Sequence, residues 1–331
     1  MSRAFRAAAP VRLDFAGGWT DVPPFSAREG GLVVSAAISL HAHAEVRLGG
    51  TGLRLSAEDL GATLDVPDQA ALEPRGPMAL LQAALRILPV GPCALTTRSD
   101  APPGSGLGSS GALDVALVSA LSAARGEQRD ADETARWACR LEGIEAGIPG
   151  GRQDQYTAAF GGMLRMAFRD PHTEVEPLAL DPAVLAELER RMLLVYTGAS
   201  RFSGATIERV MIAYERGDAH VTEALHGLRE VAERMVEALR AGDLPRIGAL
   251  MDRNWRHQQA LDAAMCTPLM ARLDHGLREV GALGGKAAGS GAGGCMFFLG
   301  PDDPGPAVAV AKAHGGVLLP VRWAATGVQP C

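Results

Sequence analysis

The sequence contains almost no lysine. Of 32 basic side chains in 331 residues, only Lys286 and Lys312 are lysines, and all the others are arginines. A Walker-type phosphate loop needs a lysine directly after its second glycine, and a protein-kinase-like nucleotide site needs one on an early strand. Both kinds of site are therefore excluded before residue 286. If this chain binds phosphates, it binds them without lysine.

Paired cysteines and long apolar runs are also missing. The absence of any CxxC argues against a zinc site and, with an odd number of cysteines, against disulfides, so a reducing compartment is expected. No run of about 18 uncharged apolar residues occurs, and no membrane span is predicted. With 47% apolar residues, 21% charged residues and a net charge of −6, the composition is typical of a compact cytoplasmic protein that binds neither nucleic acid nor membrane. The five cysteines are Cys93, Cys139, Cys266, Cys295 and Cys331.

The periodicity of apolar residues changes along the chain. Alternating residues predict strands at 11–15 and 32–48, which would form an antiparallel layer, and helical spacing predicts helices at 111–124 and 131–145. Past residue 180 the pattern becomes long amphipathic helices, and two apolar strands interrupt them. At roughly 150 residues per domain, about two domains are expected. The later strands are predicted at 192–196 and 295–299, and the helices at 182–193, 203–216, 218–241 and 243–263.

A glycine-rich segment at 102–111 runs directly into a predicted helix. Glycines let the backbone approach a ligand closely, and the free amides of a helix start favour a bound anion. The segment also satisfies the GxGxxG dinucleotide fingerprint, but Pro102-Pro103 separates it from the preceding strand and no acidic residue closes a following strand. The dinucleotide alternative is rejected, whereas a plain turn before a buried helix remains open.

Three segments in this order resemble the signatures of the GHMP small-molecule kinases, the family of galactokinase, homoserine kinase, mevalonate kinase and phosphomevalonate kinase. They are Val11–Asp21 (VRLDFAGGWTD), Pro102–Ser110 (PPGSGLGSS) and Gly285–Gly294 (GKAAGSGAGG). The resemblance implies an α+β fold with two domains. A mixed β/α N-terminal domain at 1–178 and a helix-rich α+β C-terminal domain at 179–331 would enclose the active site in the cleft between them. It also implies ATP and Mg²⁺ as cofactors.

The resemblance assigns catalysis to two charged side chains. Asp154 matches the family's catalytic aspartate, and Arg12 matches the basic residue between that aspartate and the transferred phosphate. Magnesium is expected at Ser110, or at Ser109, together with Glu142. Without the resemblance, each residue has an ordinary explanation. Asp154 would be a turn aspartate, Arg12 an arginine on an exposed strand face and Glu142 a solvated glutamate. The ATP phosphates are expected at Pro103, Gly104, Ser105, Gly106, Leu107, Gly108, Ser109 and Ser110.

The resemblance further implies a sugar site beside Asp154. Asp21 matches an aspartate that hydrogen-bonds sugar hydroxyls, but Gly18-Trp19 stands where galactokinases have Glu-His. An indole that can stack on a sugar ring replaces two polar contacts, so galactose is a poor first choice. Arginines near the site could bind a phosphate already on the substrate, or could simply be surface residues. The expected substrate-binding residues are Gly17, Gly18, Trp19, Asp21, Gly151, Arg152 and Arg201, with Ser200 and Ser203 as further phosphate ligands.

The third glycine-rich segment is expected to support the phosphate loop, by which we mean Pro103–Ser110. Gly289, Gly291 and Gly293 would pack against it, and a tight turn before a strand is the alternative. Lys286 at the start of this segment could lie near the substrate, cap a helix or lie at the surface, and the residues do not decide between these.

Further stretches resemble the branch that contains D-glycero-D-manno-heptose 7-phosphate kinase and fucokinase. They are Gly17–Pro24 (GGWTDVPP), Gly30–Ile38 (GGLVVSAAI), Gly151–Gly162 (GRQDQYTAAFGG), Val195–Gly204 (VYTGASRFSG) and Asn254-Trp255. The resemblance implies phosphorylation of an anomeric (C1) hydroxyl, with heptose 7-phosphate as the expected substrate and L-fucose or another hexose as the alternative. A GHMP-fold regulator that binds sugar or nucleotide without turnover is a second alternative, and a metal hydrolase built on His41 and His43 a weaker third. The only partner expected is a small sugar or sugar phosphate, and a homodimer is left open.

Overall fold

The computed structural model describes residues 3–198 and 204–330. They fold into one mainly antiparallel sheet and one fully antiparallel sheet, with helices packed around both. The described strands are β1 (Ala4–Ala16), β2 (Gly31–Leu48), β3 (Leu53–Ala57), β4 (Ala62–Val66), β5 (Cys93–Ser99), β6 (Met163–Arg169), β7 (His172–Pro177), β8 (Met192–Tyr196), β9 (Gly284–Ala287), β10 (Cys295–Leu299), β11 (Val317–Leu319) and β12 (Gln329–Pro330).

The described helices alternate with these strands in the first half of the chain and dominate the second half. They are α1 (Phe25–Glu29), α2 (Ala79–Ile87), α3 (Ser109–Ala124), α4 (Ala131–Arg140), α5 (Gln153–Phe160), α6 (Pro182–Arg191), α7 (Gly204–Glu215), α8 (Ala219–Ala241), α9 (Leu244–Leu261), α10 (Pro268–Glu279) and α11 (Gly305–Ala313). Within the described ranges, no helix is both long and apolar enough to cross a membrane.

The first sheet is organised around the long strand β2. Its C-terminal half pairs with β5 and its N-terminal half with β6, while β1 runs antiparallel along most of its length. The order through this sheet is β12-β1-β2-β5-β3-β4, and β6 and β7 branch from β2. The antiparallel layer predicted at 11–15 and 32–48 is thus confirmed. β3 and β4, β6 and β7 were not predicted.

The second sheet has the order β11-β8-β10-β9 and is antiparallel throughout. Its strands all follow residue 191, whereas β1 to β7 all precede residue 178. The chain then returns: Pro330 in β12 pairs with Ala7 in β1, and Trp323 forms a bridge with Ile38. The expected domain boundary between residues 178 and 179 stays a prediction, and this return of the C-terminal segment to the first sheet was not part of it.

A single large core joins the two sheets. Leu13 and Val34 of the first sheet belong to the same buried apolar cluster as Leu194 and Phe297 of the second. Helix α3 is buried against β1 and β2, which suits its apolar character on nearly every side. Because the core is continuous, the loop before α3 is held firmly against β1.

One predicted helix departs from regular geometry. The helix expected at 131–145 is α-helical only to Arg140, and Leu141–Glu145 then form a π-helical turn. Such turns insert one extra residue into the helical repeat and are frequent at functional sites. Glu142 lies within this turn.

Candidate active site

The three glycine-rich segments converge on one cavity of about 530 Å³. Arg12, Trp19 and Asp21 reach it from the first segment, the phosphate loop and the start of α3 form a second side, and Gly289 and Ser290 approach from the third segment. Asp154 and Glu142 also line it. Residues far apart in sequence therefore meet at one place, with both acidic and basic groups on the wall.

Arg12 and Asp154 form the central charged pair of the cavity. Arg12 lies on β1, and its Nε and Nη2 atoms are each 2.8 Å from Asp154 Oδ1. Its Nη1 donates to the carbonyl oxygen of Gly106 at 2.6 Å, and its backbone N–H donates to Leu107 O at 2.9 Å. The arginine thus connects the phosphate loop to Asp154, and the two side chains to which the family resemblance assigns catalysis are in direct contact.

Burial and charge act on the pKa of Asp154 in opposite directions. Burial raises the pKa above its ordinary value, the guanidinium of Arg12 works against that rise, and Asp14 adds to it. Burial also disfavours the charge on Arg12, but the surrounding carboxylates outweigh this and its pKa is raised. Arg12 is therefore held positive beside a carboxylate whose basicity is increased, which suits a group that accepts a proton.

The phosphate loop is open toward the cavity. Gly104, Gly106 and Gly108 have φ angles of 65°, 75° and 74°, which glycine adopts readily. Helix α3 begins after Gly108 without a side-chain cap, so its first N–H groups are available to an anion. Six of the eight expected loop residues line the cavity, namely Gly104, Ser105, Gly106, Gly108, Ser109 and Ser110.

The other two expected residues of the phosphate loop lie away from the cavity lining. The side chain of Leu107 is fully buried in the main core, and Pro103 is exposed. Within the described residues, the buried hydroxyl oxygens of Ser105 and Ser109 have no hydrogen-bond partner. Leu107 therefore anchors the loop, while unpartnered hydroxyls and amides are left for a ligand.

Ser110 and Glu142 form a corner that fits a magnesium ion. Ser110 and Glu142 both line the cavity and interact electrostatically, and burial raises the pKa of Glu142 to about 7, with Asp154 contributing to the rise. A cation at this corner would relieve the cost of that buried charge, and oxygen ligands are those that Mg²⁺ prefers. No three His, Cys, Asp or Glu side chains of the described residues converge as a metal group. A cation would thus share its ligands with hydroxyls and phosphates, and His41 and His43 gain no support as a metal centre.

Asp21 both lines the cavity and fixes the start of α5. Its Oδ2 accepts hydrogen bonds from the backbone N–H groups of Arg152 and Gln153 at 2.8 and 3.0 Å, and Gln153 Nε2 donates to Oδ1 at 3.2 Å. A Cβ on Gly151 would lie 1.9 Å from Asp21 Oδ2. Asp21 therefore orients the helix that carries Asp154 as well as facing the expected sugar site.

Trp19 forms an apolar wall of the cavity. It is 5% exposed and packs in a cluster that includes Phe25 and Met211. Its φ of 84° is unusual for a bulky residue and indicates backbone strain. Gly17 and Gly18, which were also expected at the substrate, lie behind this wall: a Cβ on Gly17 would meet Leu32 O at 1.9 Å and one on Gly18 would meet Asp14 Oδ2 at 2.7 Å.

The arginines expected to bind a substrate phosphate are not placed in this cavity by the described structure. Arg152 lines a neighbouring cavity of about 340 Å³ instead, where its Nη2 lies 2.5 Å from Asp170 Oδ1. Arg201, together with Ser200 and Ser203, lies outside the described residues. Arg12 is the one cationic side chain among the described residues that line the main cavity.

The third glycine-rich segment packs directly on the phosphate loop. A Cβ on Gly289 would come 2.6 Å from Gly106 O, and one on Gly106 would come 2.6 Å from Ala288 O, so the two backbones touch. Gly294, the last residue of this segment, makes a similar approach: a Cβ there would come 2.6 Å from Ser105 O. Gly291 instead faces Met265 and Gln258, and Gly293 has a φ of 129°.

Lys286 is not a surface residue, and it does not line the cavity. It is fully buried, and its Nζ donates to Asp14 Oδ2 and Asp14 O at 2.7 Å and to Ala287 O at 2.9 Å. The other carboxylate oxygen of Asp14 accepts from Gly289 N at 3.0 Å and lies 3.9 Å from Arg12 Nη1. A buried ion pair thus joins the first and third glycine-rich segments. Asp14 was missed, although it stands two residues after Arg12 on a strand and so shares its face.

We expect Gly111→Ala to lower kcat by about 100-fold, because the new methyl group would displace Asp154. A displacement of 1 Å at a reaction centre has an effect of about this size. The added methyl group would lie 2.5 Å from Asp154 Cβ and 3.1 Å from Gln155 N. Steady-state kinetics tests this, with Gly91→Ala as control because a Cβ there has no neighbour within 4 Å. An unchanged kcat for Gly111→Ala would contradict the close packing of α3 against Asp154.

Comparison with known proteins matches both halves of the chain. Residues 76–162 match the model of the GHMP kinases N terminal domain, and residues 235–315 that of the GHMP kinases C terminal domain. The D-glycero-alpha-D-manno-heptose 7-phosphate kinase of Campylobacter jejuni is 30% identical over 306 residues, which are 90% of this chain and 89% of that protein. The bifunctional fucokinase/GDP-fucose pyrophosphorylase of Arabidopsis thaliana is 29% identical over 88% of this chain, but over only 29% of its own length.

A solved structure is similar over nearly its whole length. The D-glycero-D-manno-heptose 1-phosphate kinase from Bacteriodes thetaiotaomicron superposes with a TM-score of 0.78 at 27% identity, covering 99% of this chain and 98% of that one. The two-domain α+β architecture is therefore shared with a protein of known structure.

Proposed function

This chain belongs to the GHMP kinase family and is an ATP-dependent sugar kinase, and we propose that its acceptor is the C1 hydroxyl of D-glycero-D-manno-heptose 7-phosphate, giving the 1,7-bisphosphate. The observation that carries the chemistry is the Arg12–Asp154 pair at the open start of α3. The names of the Campylobacter and Bacteriodes relatives support a heptose phosphate as the substrate.

The residues of the cavity have separate roles in the proposed reaction. Asp154 accepts the proton of the acceptor hydroxyl, and Arg12 stabilises the negative charge that develops on the transferred phosphoryl group. The backbone amides at the start of α3 bind the phosphates of ATP. A magnesium ion held by Ser110 and Glu142 supplies further neutralisation of phosphate charge when bound. Trp19 and Asp21 offer the sugar an apolar face and a hydrogen-bond acceptor.

L-Fucose is the second candidate acceptor. The run Trp19-Thr20-Asp21-Val22-Pro23-Pro24 resembles fucokinases, and a fucokinase is among the relatives. Arg12 is the one cation on the cavity wall among the described residues, which favours a sugar without its own phosphate. A regulator without turnover is disfavoured, because Arg12 and Asp154 form an intact pair beside the phosphate loop.

Incubation with Mg-ATP and a panel of acceptors tests the substrate. We expect ADP release with D-glycero-D-manno-heptose 7-phosphate, with kcat/KM at least about tenfold above that for free heptose, L-fucose, galactose, mannose or mevalonate. The product should show coupling between the anomeric proton and phosphorus in NMR spectra. A higher kcat/KM for L-fucose would replace the first candidate by the second, and no ADP release with any sugar would contradict both.

A further inference from the structure

Asp114 is a buried carboxylic acid to which the reaction so far gives no role. It lies in an otherwise apolar stretch of α3 and is 0% exposed, and both of its carboxyl oxygens lack a hydrogen-bond partner within the described part of the chain. An unpartnered buried polar group is costly, and such exceptions in a folded protein need an explanation. Packing alone does not require an acid at this position.

The position of Asp114 relates it to the proposed cation site. Asp114 follows Ser110 by four residues in α3, so the two side chains lie on one face of the helix. Its carboxyl group interacts electrostatically with Glu142 and with the side-chain amide of Gln155. The same amide, carried by α5, donates from Nε2 to Glu142 Oε2 at 2.5 Å.

One amide therefore stands between two carboxyl groups. Gln155 donates a short hydrogen bond to Glu142, whereas its interaction with Asp114 does not have the geometry of a hydrogen bond. Gln155 Oε1 is also buried and unpartnered among the described residues. Among the described residues, three oxygens near Glu142 are thus buried and unpartnered, two on Asp114 and one on Gln155, and neither residue lines the main cavity.

We propose that Asp114 is a positioning residue for the cation site, and that it acts through the side-chain amide of Gln155 to fix the carboxylate of Glu142. The proposal rests on the assignment of Glu142 to the cation. Metal-binding carboxylates are oriented by hydrogen-bonded groups behind them, and loss of such a group weakens metal affinity by about 10–100-fold. Asp114 itself does not line the main cavity.

Mn²⁺ binding to the full chain with a non-hydrolysable ATP analogue, followed by electron paramagnetic resonance, tests the proposal. Asp114→Ala and Gln155→Ala should each weaken Mn²⁺ binding by about 10–100-fold. The double variant should bind Mn²⁺ no more weakly than the single variant with the lower affinity, because both substitutions break the same chain of contacts. Asp114→Asn keeps the size of the side chain and an oxygen that can face the amide of Gln155, and it should keep the Mn²⁺ affinity close to that of the unmodified protein.

Two controls separate positioning from general stability. Ser122→Ala removes another buried polar group of α3, which donates to Val118 O, and should leave Mn²⁺ affinity unchanged. If Asp114→Ala does not fold, Asp114→Ser replaces it. Unchanged Mn²⁺ affinity in the folded variants, or additive losses in the double variant, would overturn the proposal. If no sugar is phosphorylated but Mn²⁺ binding follows the expected pattern, the acceptor assignment fails and the role of Asp114 stands.

Discussion

Asp154→Asn is expected to slow phosphoryl transfer by about 10²–10⁴-fold while leaving ATP binding nearly unchanged. Asparagine keeps the size of the side chain and an oxygen that can accept from Arg12 Nε, 2.8 Å away in the unmodified protein, but it cannot take a proton. The loss should therefore fall on kcat and on kcat/KM to the same extent, with little change in KM for ATP. Single-turnover measurement of ADP formation, beside calorimetric titration of nucleotide, checks both parts.

Asp132→Asn serves as the matched control for this change. Asp132 is an exposed carboxylate that pairs with Arg136 on α4, and its loss should leave kcat unaltered. Full activity in Asp154→Asn would remove the aspartate from the role of base. The reaction would then depend on positioning and phosphate charge alone, which a loose transition state permits.

Lys286→Met is expected to reduce the free energy of unfolding by about 3–5 kcal/mol, because it leaves the buried carboxylate of Asp14 without its cation. The lysine has three hydrogen-bond acceptors within 2.9 Å and no exposed surface. Activity should fall as well, since an unpaired Asp14 competes with Asp154 for Arg12, whose Nη1 is 3.9 Å from Asp14 Oδ1. Urea unfolding followed by circular dichroism measures the stability loss.

The second lysine of the chain provides the control. Lys312 is exposed on α11, and Lys312→Met should change stability by no more than about 0.5 kcal/mol. The double variant Lys286→Met with Asp14→Asn should regain part of the loss, because it removes the unpaired charge. Equal stability of Lys286→Met and Lys312→Met would contradict the buried ion pair.

Sequence patterns predicted which segments form the site, but they predicted the contacts between these segments less well. The glycine-rich loop before α3 and the strand that carries Arg12 were predicted from composition, periodicity and family resemblance, because both depend on residues adjacent in sequence. Lys286 shows the limit of this reasoning: its partner Asp14 is 272 residues away, and only the fold brings the two together. The roles assigned to Glu142, Asp154 and the substrate-binding residues stay predictions.

Some signals were present but were not used. Asp114 stands as the single acid in the run Gly111-Ala-Leu-Asp-Val-Ala-Leu, four residues after a serine already expected at the cation. A charge in an apolar helix suggests either a partner or a function. The side-chain direction of Arg152 could not be predicted, since it depends on an ion pair with Asp170 in the turn between β6 and β7.

The side chain of Glu142 points toward Ser110 only if the π-helical turn at Leu141–Glu145 keeps its number of residues. Each residue of an α-helix advances the side chain by about 100° around the axis, so loss of one residue that restored the regular repeat would turn the glutamate away from Ser110. Substitutions around Glu142 can be absorbed by local repacking, but single-residue insertions and deletions cannot. Most loops tolerate changes in their number of residues, but this short stretch of helix does not.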